Sequence, residues 1–387
     1  MKRIMTLTIA FCMLCLTVTG AEKLIVDSMD FQGSNTLTFE KAVEMALKSN
    51  AALVQCDLDI AVAQNALDQK DEKMKGILKA YRHIDPKSLT YQNAVTNPQR
   101  TLKFQFEKAN RKKQGTINTI EVNVQTQYYN LLFALKQVEI YRDNLKIVEK
   151  TDAQTTKKLE LGTIAKQEVI NSQLSLIKAQ NELNAAENSV KKAKMALNVL
   201  IGQDVMSEII PDGSLEIPPY ELGSIAKAVT NTFNNNGMIK DLEFALEMAK
   251  FDLEYLGMGN MTETYPYKEK KLNLDKAMMN YQNVKAGAET LVRNSYLDVT
   301  QKKAETVKNM QAKSNAGVAL NISDISFEAG VSVLSDKEKA QVAKLQADIT
   351  LSQSILDYIL AIAAYEDNQA VGRTAVASAT QLAASSN

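Results

Sequence analysis

Apolar side chains recur along this chain at steps of three and four, and they do so twice over. From Thr38 the positions Val43, Ala46, Leu47, Leu53, Leu58, Ala61 and Leu67 keep a helical period to about Tyr81, the spacing that lines residues along one helix face. His83–Gln99, with Pro86 and Pro98, is a break. A second pattern then runs through Leu102, Phe106, Ala109, Ile117, Ile120 and Val124, and on through Leu131, Leu135, Val138, Leu145, Val148 and Leu159. Such alternating steps mark a narrow coiled-coil seam rather than a broad globular face. About 60 residues at 1.5 Å each span about 90 Å, too long for a compact domain. The chain reverses at Leu161-Gly162-Thr163, where glycine supplies a left-handed helix cap. It returns through Ile164, Ile170, Leu174, Ile177, Val190, Ala193, Leu197 and Leu200.

The same plan recurs downstream. Ala42 matches Ala228, a shift of 186 residues that also pairs Val43 with Val229, Asn50 with Asn236, Leu53 with Ile239, Leu58 with Phe244, Ala63 with Ala249 and Leu67 with Leu253. Further on, Leu159-Glu-Leu-Gly162 matches Phe327-Glu-Ala-Gly330, now at a shift of 168 from position 162 to position 330. The halves therefore differ by 18 residues in between, expected at the breaks, where His83–Gln99 faces the shorter Gly257–Tyr267. A duplication of this length built from long helices points to a scaffold or conduit rather than a catalyst. Thr38 and Ser224 stand at equivalent helix starts as N-caps. The second half predicts a helix from Ser224 to about Tyr255, a long helix ending near Phe327, a turn at Gly330 and a return helix to about Glu366.

The expected fold is all-α: duplicated long antiparallel coiled-coil hairpins with little or no β-structure. The expected divisions are a signal peptide at 1–21, a first repeat at 22–202, a linker at 203–223 with room for a short strand around Ser214–Ile217, a second repeat at 224–367 and a flexible tail at 368–387. The leading segment carries Lys2-Arg3, an apolar run from Ile4 to Val18 and the small residues Thr19-Gly20-Ala21, the make-up of a secretory signal. After it, no stretch approaches the roughly 20 apolar residues of a spanning helix.

Composition removes several function classes. The 45 acidic and 45 basic residues balance and no basic block stands out, which argues against a nucleic-acid partner. Cys12 and Cys15 lie in the signal, leaving Cys56 without a disulfide partner and suited to inert packing. His83, the single histidine, sits in a loop beside Asp85 with no partner for a Ser-His-Asp or Cys-His arrangement. No zinc-spaced cluster or phosphate-binding glycine loop is present. Asp57 and Asp59 read as acids of a solvated helix face. No catalytic residue, cofactor or metal is expected.

The glycine turns carry a resemblance. Leu159, Gly162, Ala165, Glu168, Val169, Ile170 and Gln173, and in the second copy Phe327, Gly330, Val333, Asp336, Ala340 and Gln341, follow the helical turn Tyr-x-x-Gly-x-x-Ser-x-x-Asp-Val-Leu-x-Ala-Gln of the TolC-type outer-membrane efflux proteins. The Leu-Thr-x-Glu-x-Ala opening at Leu37–Ala42 and Tyr128-Tyr129 before Leu131-Leu132 resemble the same family. The resemblance implies a homotrimer whose helices enclose a periplasmic α-helical barrel below a small β-barrel in the outer membrane. It also implies a periplasmic adaptor and an inner-membrane pump as partners, with Gly162, Thr163, Gly330, Val331, Ser332 and Asp336 at the docking tips. Asp336 either caps the return helix, in competition with Ser332 and Ser335, or presents its charge to the lumen or a partner. An envelope spacer without transport is the alternative. The departure is at the β-barrel, where Gly257–Tyr267 is too short for two spanning strands of about 9–11 residues. Leu102–Glu107 alternates like a strand, although Leu102, Phe106 and Ala109 also fit the helical seam.

Overall fold

The computed structural model describes residues 36–257 and 262–374; the proposed signal segment and the end of the tail lie outside them. Each half opens with two helices in succession, α1 (Phe39–Ser49) and α2 (Ala51–Tyr81), then α6 (Ile225–Asn235) and α7 (Gly237–Gly257). These are breaks within what the periodicity reads as single helices. The cause is the matched asparagine. Asn50 and Asn236 take extended backbone angles, and their side-chain oxygens accept from Ala52 N and from Met238 and Ile239 N. An Asx cap satisfies amides that a continuing helix would have paired, and so restarts the helix in a new direction. Thr38 caps α1 as expected, accepting from Lys41 N at 3.3 Å, whereas the Ser224 hydroxyl makes no such bond to α6.

A short turn, α3 (Leu89–Tyr91), and a π-helical turn at Gln92–Thr96 lead into α4 (Asn97–Glu160), with Pro98 in its first turn. Proline there forfeits only an amide the helix leaves unpaired. α4 and its counterpart α8 (Tyr265–Glu328) each have 64 residues, about 96 Å of helix. Leu102–Glu107 lies inside α4, so its alternation marks no strand. The extra 18 residues of the first half fall partly in helix: α2 has 31 residues against 21 in α7, and the connector 82–96 supplies the rest.

α5 (Lys166–Leu200) folds back on α4, and α9 (Leu334–Asp367) on α8. α9 also packs on α4, which places the helices side by side in the order α5, α4, α9, α8. Where α4 meets α5, small residues let the backbones approach: Ala179 and Ala186 are buried beside Val138, Leu145, Val148 and Leu183. Contrary to the expectation that no stretch after the signal segment approaches a spanning helix, α9 contains one long and apolar enough to cross a membrane, and 56% of it is buried among its neighbours. That burial is what a core helix between two others requires.

The only strands among the described residues are β1 (Thr36–Leu37) and β2 (Ile210–Pro211), paired in parallel. The expected strand is thus four residues early, because the pairing closes where the Tyr128 hydroxyl faces the carbonyls of Leu37, at 2.9 Å, and Asp212, at 2.6 Å. Around it Ala42, Ala46, Val124, Leu131, Leu197 and Ile359 form the main core. Asn368–Thr374, expected as the start of a flexible tail, instead packs against the α6–α7 joint. Gly372 N donates to Asn235 O, Gly237 N to Arg373 O, and Asn118 Nδ2 to Val371 O. This strap can pass only because Gly372 (φ +81°) and Gly115 lack side chains: a Cβ on Gly372 would lie 2.2 Å from Arg111 O.

Asn236 is the more deeply buried of the two joint asparagines and caps two amides. Asn236→Ala is expected to cost about 2 kcal/mol and Asn50→Ala about 1 kcal/mol, measured as loss of midpoint stability in denaturant.

Candidate functional site

The two hairpin turns are built alike. α4 ends in a Schellman motif: Gly162 (φ +71°) at the left-handed position, Gly162 N donating to Leu159 O and Thr163 N to Lys158 O. α8 ends the same way, with Gly330 at φ +76°, Gly330 N donating to Phe327 O and Val331 N to Ser326 O. This is the 5→2 and 6→1 pair that satisfies helix-terminal carbonyls. The Thr163 hydroxyl adds a bond to Lys158 O at 2.9 Å. Both return helices then start without a side-chain cap, on Ala165 and Val333, and each carries an acid in its first turn, Glu168 and Asp336. Those carboxylates complement the positive helix end. Asp336 is therefore not the cap. Its carboxylate lies 3.4 Å from Lys339 on an exposed face, and the Ser332 hydroxyl is buried without a hydrogen-bond partner.

The tips also expose apolar side chains. Val331 is 79% exposed, Leu161 69% and Val333 59%. Thr163 and Val331 were expected at the docking tips; Leu161 and Val333 were named only as part of the turns. Their signal lay in the 168-residue correspondence, which makes the turns 161–165 and 329–333 equivalent throughout.

Behind the tips a polar network holds the two hairpins together. The Lys337 ammonium, on a side chain only 1% exposed, pairs with Asp324 at 2.5 Å and donates to Gln154 Oε1 at 2.6 Å. Lys150 reaches Asp324 at 2.8 Å and Glu328 at 3.3 Å, while Gln154 Nε2 donates to Glu328 at 2.7 Å. Gln341 Nε2 donates to Thr151 Oγ1 at 2.6 Å. Lys158 donates to Phe327 O and its ammonium lies 3.9 Å from the centre of the Phe327 ring, with Lys337 at 5.0 Å, two cation–π contacts to one ring. Burial pushes the Asp324 carboxyl upward, but hydrogen bonds from Lys150 and Lys337 outweigh it and hold the group below its ordinary value.

Elsewhere the candidate chemistry disperses. His83 is exposed, accepting from Arg82 Nε, while Asp85 accepts from Lys87 N. Asp57 and Asp59 reach across to Lys113 and Lys112 of α4, at 2.5 and 2.8 Å, so they tie helices together rather than merely face solvent. Glu187 approaches Arg142 on α4. Cys56 is buried, 3.5 Å from Thr116 Oγ1. Among the described residues no cluster of three or more His, Cys, Asp or Glu side chains is placed to hold a metal.

Comparison with known proteins agrees with the resemblance drawn from the turns. Residues 92–203 match the model of the outer membrane efflux protein family, a segment spanning α4, the first tip and α5. None of the curated proteins matches the chain. Among solved structures, the outer membrane protein VceC of Vibrio cholerae superposes with a TM-score of 0.64 at 14% identity, covering 87% of this chain and 97% of that one. The Campylobacter jejuni CmeC outer membrane channel gives 0.61 at 14%, covering 92% and 89%. The open-state MtrE outer membrane channel of Neisseria gonorrhoeae gives 0.62 at 13%, covering 87% and 91%. The fold is thus that of the TolC-type channels, although the described residues between α2 and α4 and between α7 and α8 form turns and short helical turns and carry no strand.

An added Cβ at Gly162 or Gly330 would meet no atom within 4 Å, so substitution there tests the backbone alone. Valine at either site is expected to cost about 1–2 kcal/mol and asparagine distinctly less, because Asn visits the left-handed region readily; thermal unfolding of the four variants checks this. Lys337→Met should cost about 2 kcal/mol, less than a fully buried pair, since Asp324 keeps Lys150. Because the Asp324 value is depressed, its stabilisation is present above pH 3.8, the ordinary aspartate value, and fades as the pH falls through its lower folded value. Hydrogen exchange of amides near the tips should rise across that window, and Lys337→Met should blunt the rise.

Proposed function

We propose that this chain is a subunit of an envelope export channel whose two hairpin tips dock a periplasmic adaptor. The observation that carries the reading is the pair of matching turns at the ends of two equal helices, held side by side and each presenting an apolar residue to solvent. A partner hairpin can cover Leu161, Val331 and Val333 while pairing with Glu168 and Asp336 at the rim, the arrangement of apolar centre and polar edge found in protein interfaces. Gly162, Thr163, Gly330 and Ser332 shape those tips; they touch no substrate, and the channel runs without a catalytic step.

The flanks of the four-helix row support a self-assembled tube. Ile170, Leu174 and Ile177 on α5, and Val307, Met310, Val318, Ile322 and Ile325 on α8, are exposed although the periodicity assigns α5's set to a buried seam. A helix whose apolar stripe is open on the outermost member of a row calls for another copy. The homotrimer, the inner-membrane pump and the placement between periplasm and outer membrane come with the family resemblance. A second reading, an envelope spacer without transport, is favoured by the helical segments standing where the resemblance places membrane strands.

Two measurements separate these readings. Photo-crosslinkers at Thr163 and Val331 are expected to capture a periplasmic adaptor in cells, and recovery of none from either position would sink the docking assignment. Deletion of the gene should raise susceptibility to an exported toxic compound if the chain conducts; unchanged susceptibility to a broad panel, with envelope morphology altered, would favour the spacer.

A further inference from the structure

At the joint between α6 and α7, far along α4 from the tips, the strap Asn368–Thr374 and two helices enclose a cleft of about 360 Å³. Four cationic side chains line it, Lys108, Arg111 and Lys112 from α4 and Arg373 from the strap, with Asp241 of α7 as the one acid among the lining residues. Asp241 is shared: Lys108 lies 2.6 Å from it and Arg111 3.5 Å. Lys112 turns to Asp59 and Arg373 to Asp367, each through one terminal nitrogen. The Nε atoms of Arg111 and Arg373 are buried and have no hydrogen-bond partner, a costly state for a guanidinium N–H. The geometry points to a binding site for a phosphate group, either the free ion or a small phosphomonoester.

The chemistry fits on three counts. Two guanidinium groups present planar forks that match the oxygens of a phosphate, and each engages a carboxylate through only one terminal nitrogen, leaving donors for an anion. Against Asp241, Asp59 and Asp367 the four cations leave one positive charge in excess, so an entering anion gains rather than loses electrostatic energy. The volume exceeds that of a bare phosphate, leaving space for a short ester. The cleft exists because Gly115 and Gly372 let the strap cross α4 at backbone contact, which brings Arg373 over the basic turn of the helix. A phosphate held there would join α4 of the first half, α7 of the second and the strap, a role separate from docking at the tips.

The test uses the full chain. Binding is measured by calorimetry with inorganic phosphate and with glycerol 3-phosphate, and thermal unfolding is followed in each against sodium chloride at matched ionic strength and pH. Phosphate should bind at one site per chain and raise the unfolding midpoint beyond the chloride control. Arg111→Gln and Arg373→Gln should each weaken binding at least about tenfold. Asp241→Asn, which removes the competing charge, should tighten it roughly fivefold, a gain that misfolding cannot imitate. Tighter binding of glycerol 3-phosphate assigns the site to esters, and tighter binding of inorganic phosphate to the free ion. Equal responses to phosphate and chloride, or an Asp241→Asn variant with unchanged affinity, would overturn the proposal.

Discussion

The packing of α9 against both α4 and α8 is the contact on which the rest depends. Each half could form its own hairpin from local sequence, since α4 meets α5 and α8 meets α9 across a single turn. Only α9 joins the halves over a long stretch, and its composition changes along its length to do so. Near the joint end it offers Ile355, Ile359 and Ile362 to the two apolar cores. Toward the tips it becomes polar, with Lys337, Gln341 and Asp348 all buried. Apolar contacts tolerate sliding between parallel ridges, whereas a buried lysine has one place where its carboxylate and amide partners converge. The polar end therefore fixes the register that the apolar end leaves loose. The level placement of the two tips follows from that register.

Much of this was legible before any coordinates. The repeat, the two glycine corners and the hairpin boundaries follow from glycine's unique access to the left-handed region and from the three-and-four spacing of apolar residues. The joints at Asn50 and Asn236 were not legible as breaks, because the apolar period continues through them at the same phase. Their signal was their equivalence in the two halves, two asparagines with a capping side chain, and it specifies a local bond rather than a hydrophobic pattern. Periodicity was also silent about which apolar stripe meets which neighbour. Leu58, Ile170, Leu174 and Ile177 fit the period and yet are exposed, since a period identifies a face without saying whether the same chain covers it. The tip network was invisible for a related reason: Lys150, Gln154, Asp324 and Lys337 read individually as solvated helix residues, and only the docking of two hairpins makes them partners.

The exposed stripes and the buried network express one economy of construction. A rod about 96 Å long has too much surface for one chain of this size to cover, so some apolar seam stays open on this chain. The central helices α4 and α9 are covered on both sides, and the outer helices α5 and α8 each keep one open side. Such a row keeps exposed apolar side chains along both of its outer helices.

The connectors at the opposite end bear on how far the likeness to outer-membrane channels extends. Where strands would have to leave the helical wall, α2 runs its 31 residues to Tyr81 and α8 starts at Tyr265 directly after the short connector. Phe104 of α4 stacks on Phe244 of α7 with centroids 3.9 Å apart and planes inclined by only 4°, and Arg100 lies 5.5 Å from the centre of the Phe251 ring. These contacts tie the first-half and second-half helices together beyond the joints, in the region that would otherwise diverge into a sheet. An alternating segment such as Leu102–Glu107 has the composition of a strand but finds, on the α7 side, aromatic partners spaced for a helix. The stack of Phe104 on Phe244 joins two helices and so favours the helical period over the alternating one. The tip end and this end therefore answer to different constraints, the first to its glycine turns and the polar network behind them and the second to the helices' own aromatic contacts, and one can be kept while the other is rebuilt.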